Sequence, residues 1–115
     1  MRIVLSSVVV MATLAACGGS GTDDPEIKVF KSMGTLQCSG GGVTLAAMQA
    51  QLAAANVQVG SAACGTSGLA VPATCGTPDG RIGIFEISSA HAGAAAAAGF
   101  TNLTTLPLAK TVPCG

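Results

Sequence analysis

The chain has 115 residues, half of them hydrophobic, with five Lys or Arg against five Asp or Glu and a formal net charge of zero. Such a balance, with no basic stripe, lacks the electrostatic footprint of a nucleic-acid binder. The length suits one small domain, and with no Trp, no Tyr and three Phe the core must come from Ala, Val, Leu and Ile, so covalent support is expected.

At the amino end, Arg2 is followed by an apolar run over residues 3–14 and then by Leu14-Ala15-Ala16-Cys17. A charged start, a short apolar stretch and small residues before a cut are the marks of an export signal. The run is about 12 residues long, too short for a membrane span, which needs about 20. Leu-Ala-Ala-Cys resembles the lipobox of bacterial lipoproteins. The resemblance implies diacylglycerol on the Cys17 thiol, cleavage between Ala16 and Cys17, and acylation of the new amino terminus with a fatty acid such as palmitate. Gly18 rather than Asp follows Cys17, which in lipoproteins of enteric type implies sorting to the outer membrane, facing the periplasm. Residues 1–16 are accordingly read as signal peptide, 17–26 as a flexible tether rich in Gly, Ser, Thr and Asp, and 27–115 as the folded domain.

Within that domain Ile27-Lys28-Val29-Phe30-Lys31 alternates apolar and polar residues and predicts a strand. Residues 32–43 read as loop. Thr44 is placed to cap a helix carrying Leu45, Met48 and Leu52 at helical spacing, with Asn56 as its left-handed end and Val57 packing back. A second strand is expected over residues 57–62, and residues 70–75 can be extended at an edge, since Pro72 removes a ladder donor. Gly76-Thr77-Pro78-Asp79-Gly80 signals a turn. Residues 81–87 form the best strand, apolar on both faces as in a central strand, with Gly83 allowing a close neighbour. Ser88 or Ser89 should cap a second, Ala-rich helix over about residues 90–98, ended by Gly99, with Phe100 packing over its last turn. Leu103 to Pro107 suggests a single turn, and residues 110–114 a short edge strand. Two β-α-β units in a loose internal repeat give a small two-layer α+β sandwich, disulfide-stabilised. The specific topology they fit is the ferredoxin-like split βαβ.

Setting Cys17 aside leaves Cys38, Cys64, Cys75 and Cys114. An even number in an exported chain reads as two disulfides, with three connectivities open. The preferred pairing is Cys64 with Cys75 and Cys38 with Cys114, because the first pair flanks one short connection. The rival is Cys38 with Cys64 and Cys75 with Cys114. No C-x-x-C spacing occurs and His91 is the single histidine, so neither a metal site nor a redox dithiol is expected.

Chemistry is sparse. Triad-type catalysis needs a histidine base, and His91 reads as a surface helix residue. Asp79 is accounted for by its turn. Glu86 stands in an apolar strand and is expected to pair with Arg81, Lys28 or Lys31, or to face solvent. A small hydrolase using Asp79, Glu86 and His91 is the enzymatic alternative; the leading expectation is that the three do not converge. Gly40-Gly41-Gly42 precedes a helix but lacks the Lys-Ser/Thr and spacing of a phosphate loop. The segments Gln37–Gly42 and Cys75–Ile87 resemble small lipoproteins of Gram-negative bacteria, a likeness that covers most of the mature chain and brings no activity with it. Together these features point to a lipid-anchored envelope protein, held to the membrane through Cys17, that supports or binds an envelope protein partner. A small periplasmic binding or inhibitor module is the other non-enzymatic reading. No cofactor and no nucleic acid are implied.

Overall fold

A computed structural model describes residues 24–114. The expected signal peptide, Cys17 and most of the expected tether lie outside the described residues. The remainder forms a small α+β domain. In chain order it comprises β1 (Glu26–Ser32), α1 (Leu45–Ala54), β2 (Val59–Thr66), β3 (Arg81–Ser88), a 3-10 turn (Ser89–His91), α2 (Ala92–Ala97), β4 (Thr101–Asn102), a second 3-10 turn (Leu103–Thr105) and β5 (Lys110–Thr111). The five strands lie in one sheet, ordered β4-β1-β3-β2-β5, and every neighbouring pair is antiparallel.

The signals around α1 act as read, while the strand expected over residues 57–62 is shifted to Val59–Thr66. The Thr44 hydroxyl accepts from the Ala47 N–H at 3.1 Å and starts α1. Met48 and Leu52 are buried four residues apart on the face turned to the sheet. Asn56 has φ 61° and lets the chain reverse, so that Val57 is buried behind it. The sheet contributes Val29, Phe85 and Ile87 to the same cluster, and α2 and its exit contribute Ala95 and Phe100. Phe85 and Phe100 meet edge to face, with ring centroids 5.6 Å apart, a preferred aromatic geometry. Gly83 is the contact point for α1: a Cβ there would stand 2.8 Å from the Met48 sulfur. Its lack of a side chain is what lets the helix seat on the central strand.

The other face of the sheet is covered without a helix. β4 and β5 occupy opposite edges, so the chain between them must cross the sheet. The turn at Leu103–Thr105 lies against β1, and Lys28 and Ala109 line one hollow. The Leu108 carbonyl then abuts Gly68. This diagonal strap explains why Ile82 and Ile84 are buried on the face away from Met48.

Three further expectations are corrected. The disulfides are Cys38–Cys75 and Cys64–Cys114, so both the preferred and the rival pairing fail. β5 runs beside β2, with the Val112 N–H donating to the Cys64 carbonyl at 2.9 Å, and this carries Cys114 to Cys64. Residues 70–75 form no strand. They belong to a connection that folds over the loop after β1: the Gln37 N–H donates to the Thr77 carbonyl at 2.8 Å and the Asp79 N–H to the Thr35 carbonyl at 3.1 Å. That lacing brings Cys75 to Cys38. Finally, the helix expected over residues 90–98 opens as the 3-10 turn Ser89–His91, the Ser88 hydroxyl accepting from Ala90 N–H, and α2 proper is confined to Ala92–Ala97.

Candidate functional site

The antiparallel register decides which polar side chains meet. β1 opposes β3 with Glu26 facing Ser88 and Lys28 facing Glu86. On the other side of β3, Ser61 of β2 faces Glu86. Glu26 and Glu86 are thus diagonal neighbours on one face, within reach of long side chains. The Ser61 hydroxyl donates to a Glu86 carboxylate oxygen at 3.1 Å. The carboxyl groups of Glu26 and Glu86 lie close enough to hydrogen-bond when one of them is protonated. That bond, then the Glu86 charge and slight burial, raise the Glu26 pKa above its ordinary value. The same bond, the Ser61 hydroxyl and the nearby Lys28 charge lower that of Glu86, against a smaller opposing effect of burial. When the pair carries a single proton, these effects favour it on Glu26 and leave the charge on Glu86.

This pair lines an open cleft of about 520 Å³ with Asp24, Gly60, Ser88 and His91. His91 comes from the 3-10 turn after β3. Its Nδ1 is enclosed and has no hydrogen-bond partner among the described residues. The cleft offers two carboxyl groups and the Ser61 hydroxyl as hydrogen-bonding groups for a polar ligand. Among the described residues, no three His, Cys, Asp or Glu side chains gather closely enough to hold a metal ion.

Asp79 lies elsewhere. It precedes β3, whereas Glu86 stands near that strand's far end, about 17 Å along the sheet from Arg81 at ~3.4 Å per residue. There the Asp79 carboxylate accepts from the Thr35 hydroxyl and, at 3.0 Å, from the Arg81 N–H. Partial burial pushes its pKa up, but these hydrogen bonds and the Arg81 charge outweigh it and hold the carboxyl below its ordinary value. Of the three residues weighed for catalysis, the structure brings Glu86 and His91 to one cleft and leaves Asp79 outside.

The cations expected near Glu86 divide. Lys28 faces it across the ladder. Lys31 instead donates to the Gln51 side chain at 2.9 Å and to the Ala98 carbonyl at 3.2 Å, over the Phe100 ring. Arg81 donates to the Pro113 carbonyl at 3.1 Å. Sequence reasoning missed Glu26 and Ser61 as partners of Glu86. The two-residue offset between Glu26 and Lys28 on β1 was the available signal, but using it required the register. All four cysteines of the folded part are joined in disulfides. Comparison with known proteins found no match, whether to a family model, a curated protein or a solved structure.

Proposed function

We propose that this is a lipid-anchored protein of the bacterial cell envelope with a structural or partner-binding role and no catalytic activity. The observation that carries the anchor is Cys17 itself, in Leu14-Ala15-Ala16-Cys17 behind a charged, short apolar leader. The disulfides support it. They use Cys38, Cys64, Cys75 and Cys114 and leave Cys17 as the odd one of five cysteines. Two disulfides also suit an oxidising compartment outside the cytoplasm. Gly18 after Cys17 favours the outer membrane, facing the periplasm. A non-catalytic role is supported by the separation of Asp79 from the cleft that holds Glu86 and His91. A binding or inhibitor module is the second reading, favoured by the loops that the two disulfides lace together around Gln37 and Thr77.

A ferredoxin-like split βαβ is the topology we infer. β1 and β2 are linked through α1 and lie on either side of β3. β3 leads through α2 to β4, on the outer side of β1, which supports the reading. β5 and the strap are additions to that plan.

The anchor is tested on the mature protein purified from membranes. Intact-mass measurement is expected to find an amino-terminal Cys17 bearing diacylglycerol and an amide-linked acyl chain, and Cys17→Ser to abolish fatty-acid labelling. An unmodified Cys17 thiol in the mature chain would rule out this function.

A further inference from the structure

The two most exposed large apolar side chains lie together at one pole. Leu69 is 60% exposed and Leu108 65%, with Val71 also open to solvent. Leu69 follows Gly68, whose backbone abuts the Leu108 carbonyl, and Val71 packs beside Gly80. Pro107, Leu108 and Lys110 line a shallow hollow of about 420 Å³ with Gly68 and Thr66. Thr66 faces Arg81 in the ladder, at the start of β3. The chain enters the domain at the opposite pole, where Glu26 faces Ser88 at the strand's end.

Charge divides along the same axis. The apolar pole carries Lys110 and Arg81. Its one acid among the described residues is Asp79, engaged by Thr35, the Arg81 N–H and the Arg81 charge, so that Lys110 is the excess cation there. The opposite pole carries Asp24, Glu26 and Glu86 around one cleft, with Lys28 facing Glu86, and so keeps an excess of acids. Aliphatic side chains flanked by cations match the interface of an anionic bilayer, where each basic residue near the surface adds attraction and acids are repelled.

We propose that the pole formed by Leu69, Val71 and Leu108, flanked by Lys110 and Arg81, seats on an anionic lipid bilayer surface. For proximity to that surface the proposal rests on the lipid anchor at Cys17. Chain length permits the arrangement. From Cys17 to Glu26 the chain reaches about 30 Å when extended, and the eight residues of β3 span about 25 Å. The anchored segment can therefore run back along the domain to the apolar pole. In this orientation the Glu26–Glu86 cleft faces away from the bilayer.

The chain has no Trp, so one introduced Trp reports on its own surroundings. Leu69→Trp and Leu108→Trp alter exposed positions and spare the core; Lys28→Trp is the comparison on the sheet. The mature protein carrying each change is purified from membranes and reconstituted into vesicles of phosphatidylethanolamine and phosphatidylglycerol, with and without brominated acyl chains. The two pole reporters are expected to emit at shorter wavelength and to be quenched severalfold more than Lys28→Trp. Replacing phosphatidylglycerol by phosphatidylcholine should reduce that difference. Lipid on Cys17 with unquenched pole reporters overturns the proposal and leaves the anchor standing. Quenched pole reporters on a chain without lipid overturn the anchor and support the surface. Pole reporters that shift only as protein concentration rises in lipid-free detergent, or only in native membranes and not in pure vesicles, identify a second copy or a protein partner instead and also overturn it.

Discussion

Breaking the Cys64–Cys114 bridge tests the account of stability most directly. The bridge closes a separation of 50 residues, for which the chain-entropy model gives about 4 kcal/mol of stabilisation. Domains of this size hold only ~5–15 kcal/mol in total. The perturbation is the double change Cys64→Ala and Cys114→Ala, which avoids placing a hydroxyl at Cys64, a buried position. Urea unfolding followed by circular dichroism should show a loss near that size. At about 4–8 °C per kcal/mol for a domain this small, the thermal midpoint should fall by roughly 15 °C or more. The single change Cys64→Ala supplies an internal check, because it should expose one titratable thiol that peptide mapping assigns to Cys114. A double variant that loses less than about 1 kcal/mol would refute the loop-closure reasoning, and a thiol mapped to Cys75 would refute the pairing.

Phe85 is fully buried against Phe100, so Phe85→Ala should cost about 3–5 kcal/mol, whereas Lys28→Ala on the exposed sheet face should stay within about 0.5 kcal/mol in the same urea assay. The carboxylates set opposite pH dependences. Asp79 is held below its ordinary pKa, so its contribution is full above the ordinary carboxylate range and is lost as pH falls through the lowered value. Asp79→Asn should therefore flatten the acid limb of a stability profile. Glu26 is raised, so its contribution is full below the ordinary value and is lost as pH rises through the raised one. Glu26→Gln should gain stability relative to the parent as pH climbs from about 4 toward 7, the window above the ordinary Glu value. Urea midpoints whose difference from the parent stays constant above about pH 4 for Glu26→Gln, or below about pH 4 for Asp79→Asn, would contradict the corresponding assignment.

The sequence by itself determined what local periodicity encodes. Leu45, Met48 and Leu52 behind Thr44 specify α1, because a helical face and its cap are written within about ten residues. The apolar run at residues 81–87 specifies a central strand, and Gly83 within it specifies a close helix contact, which Met48 supplies. The even set of cysteines in the folded part specifies oxidation, though not partners. The tertiary structure decided everything that depends on where distant segments travel. Cys64 lies next to Cys75 in the chain of cysteines, yet its partner is Cys114. β5 pairs along β2, while the connection bearing Cys75 turns away to lace onto Gln37. Glu86 finds Glu26 and Ser61 rather than Arg81 or Lys31, because a one-residue change of register would send it to the other face. The strap that covers Ile82 and Ile84, and the apolar pole at Leu69 and Leu108, have no periodic signature. They follow from β4 and β5 lying on opposite edges of one sheet, so that the chain between them must cross it.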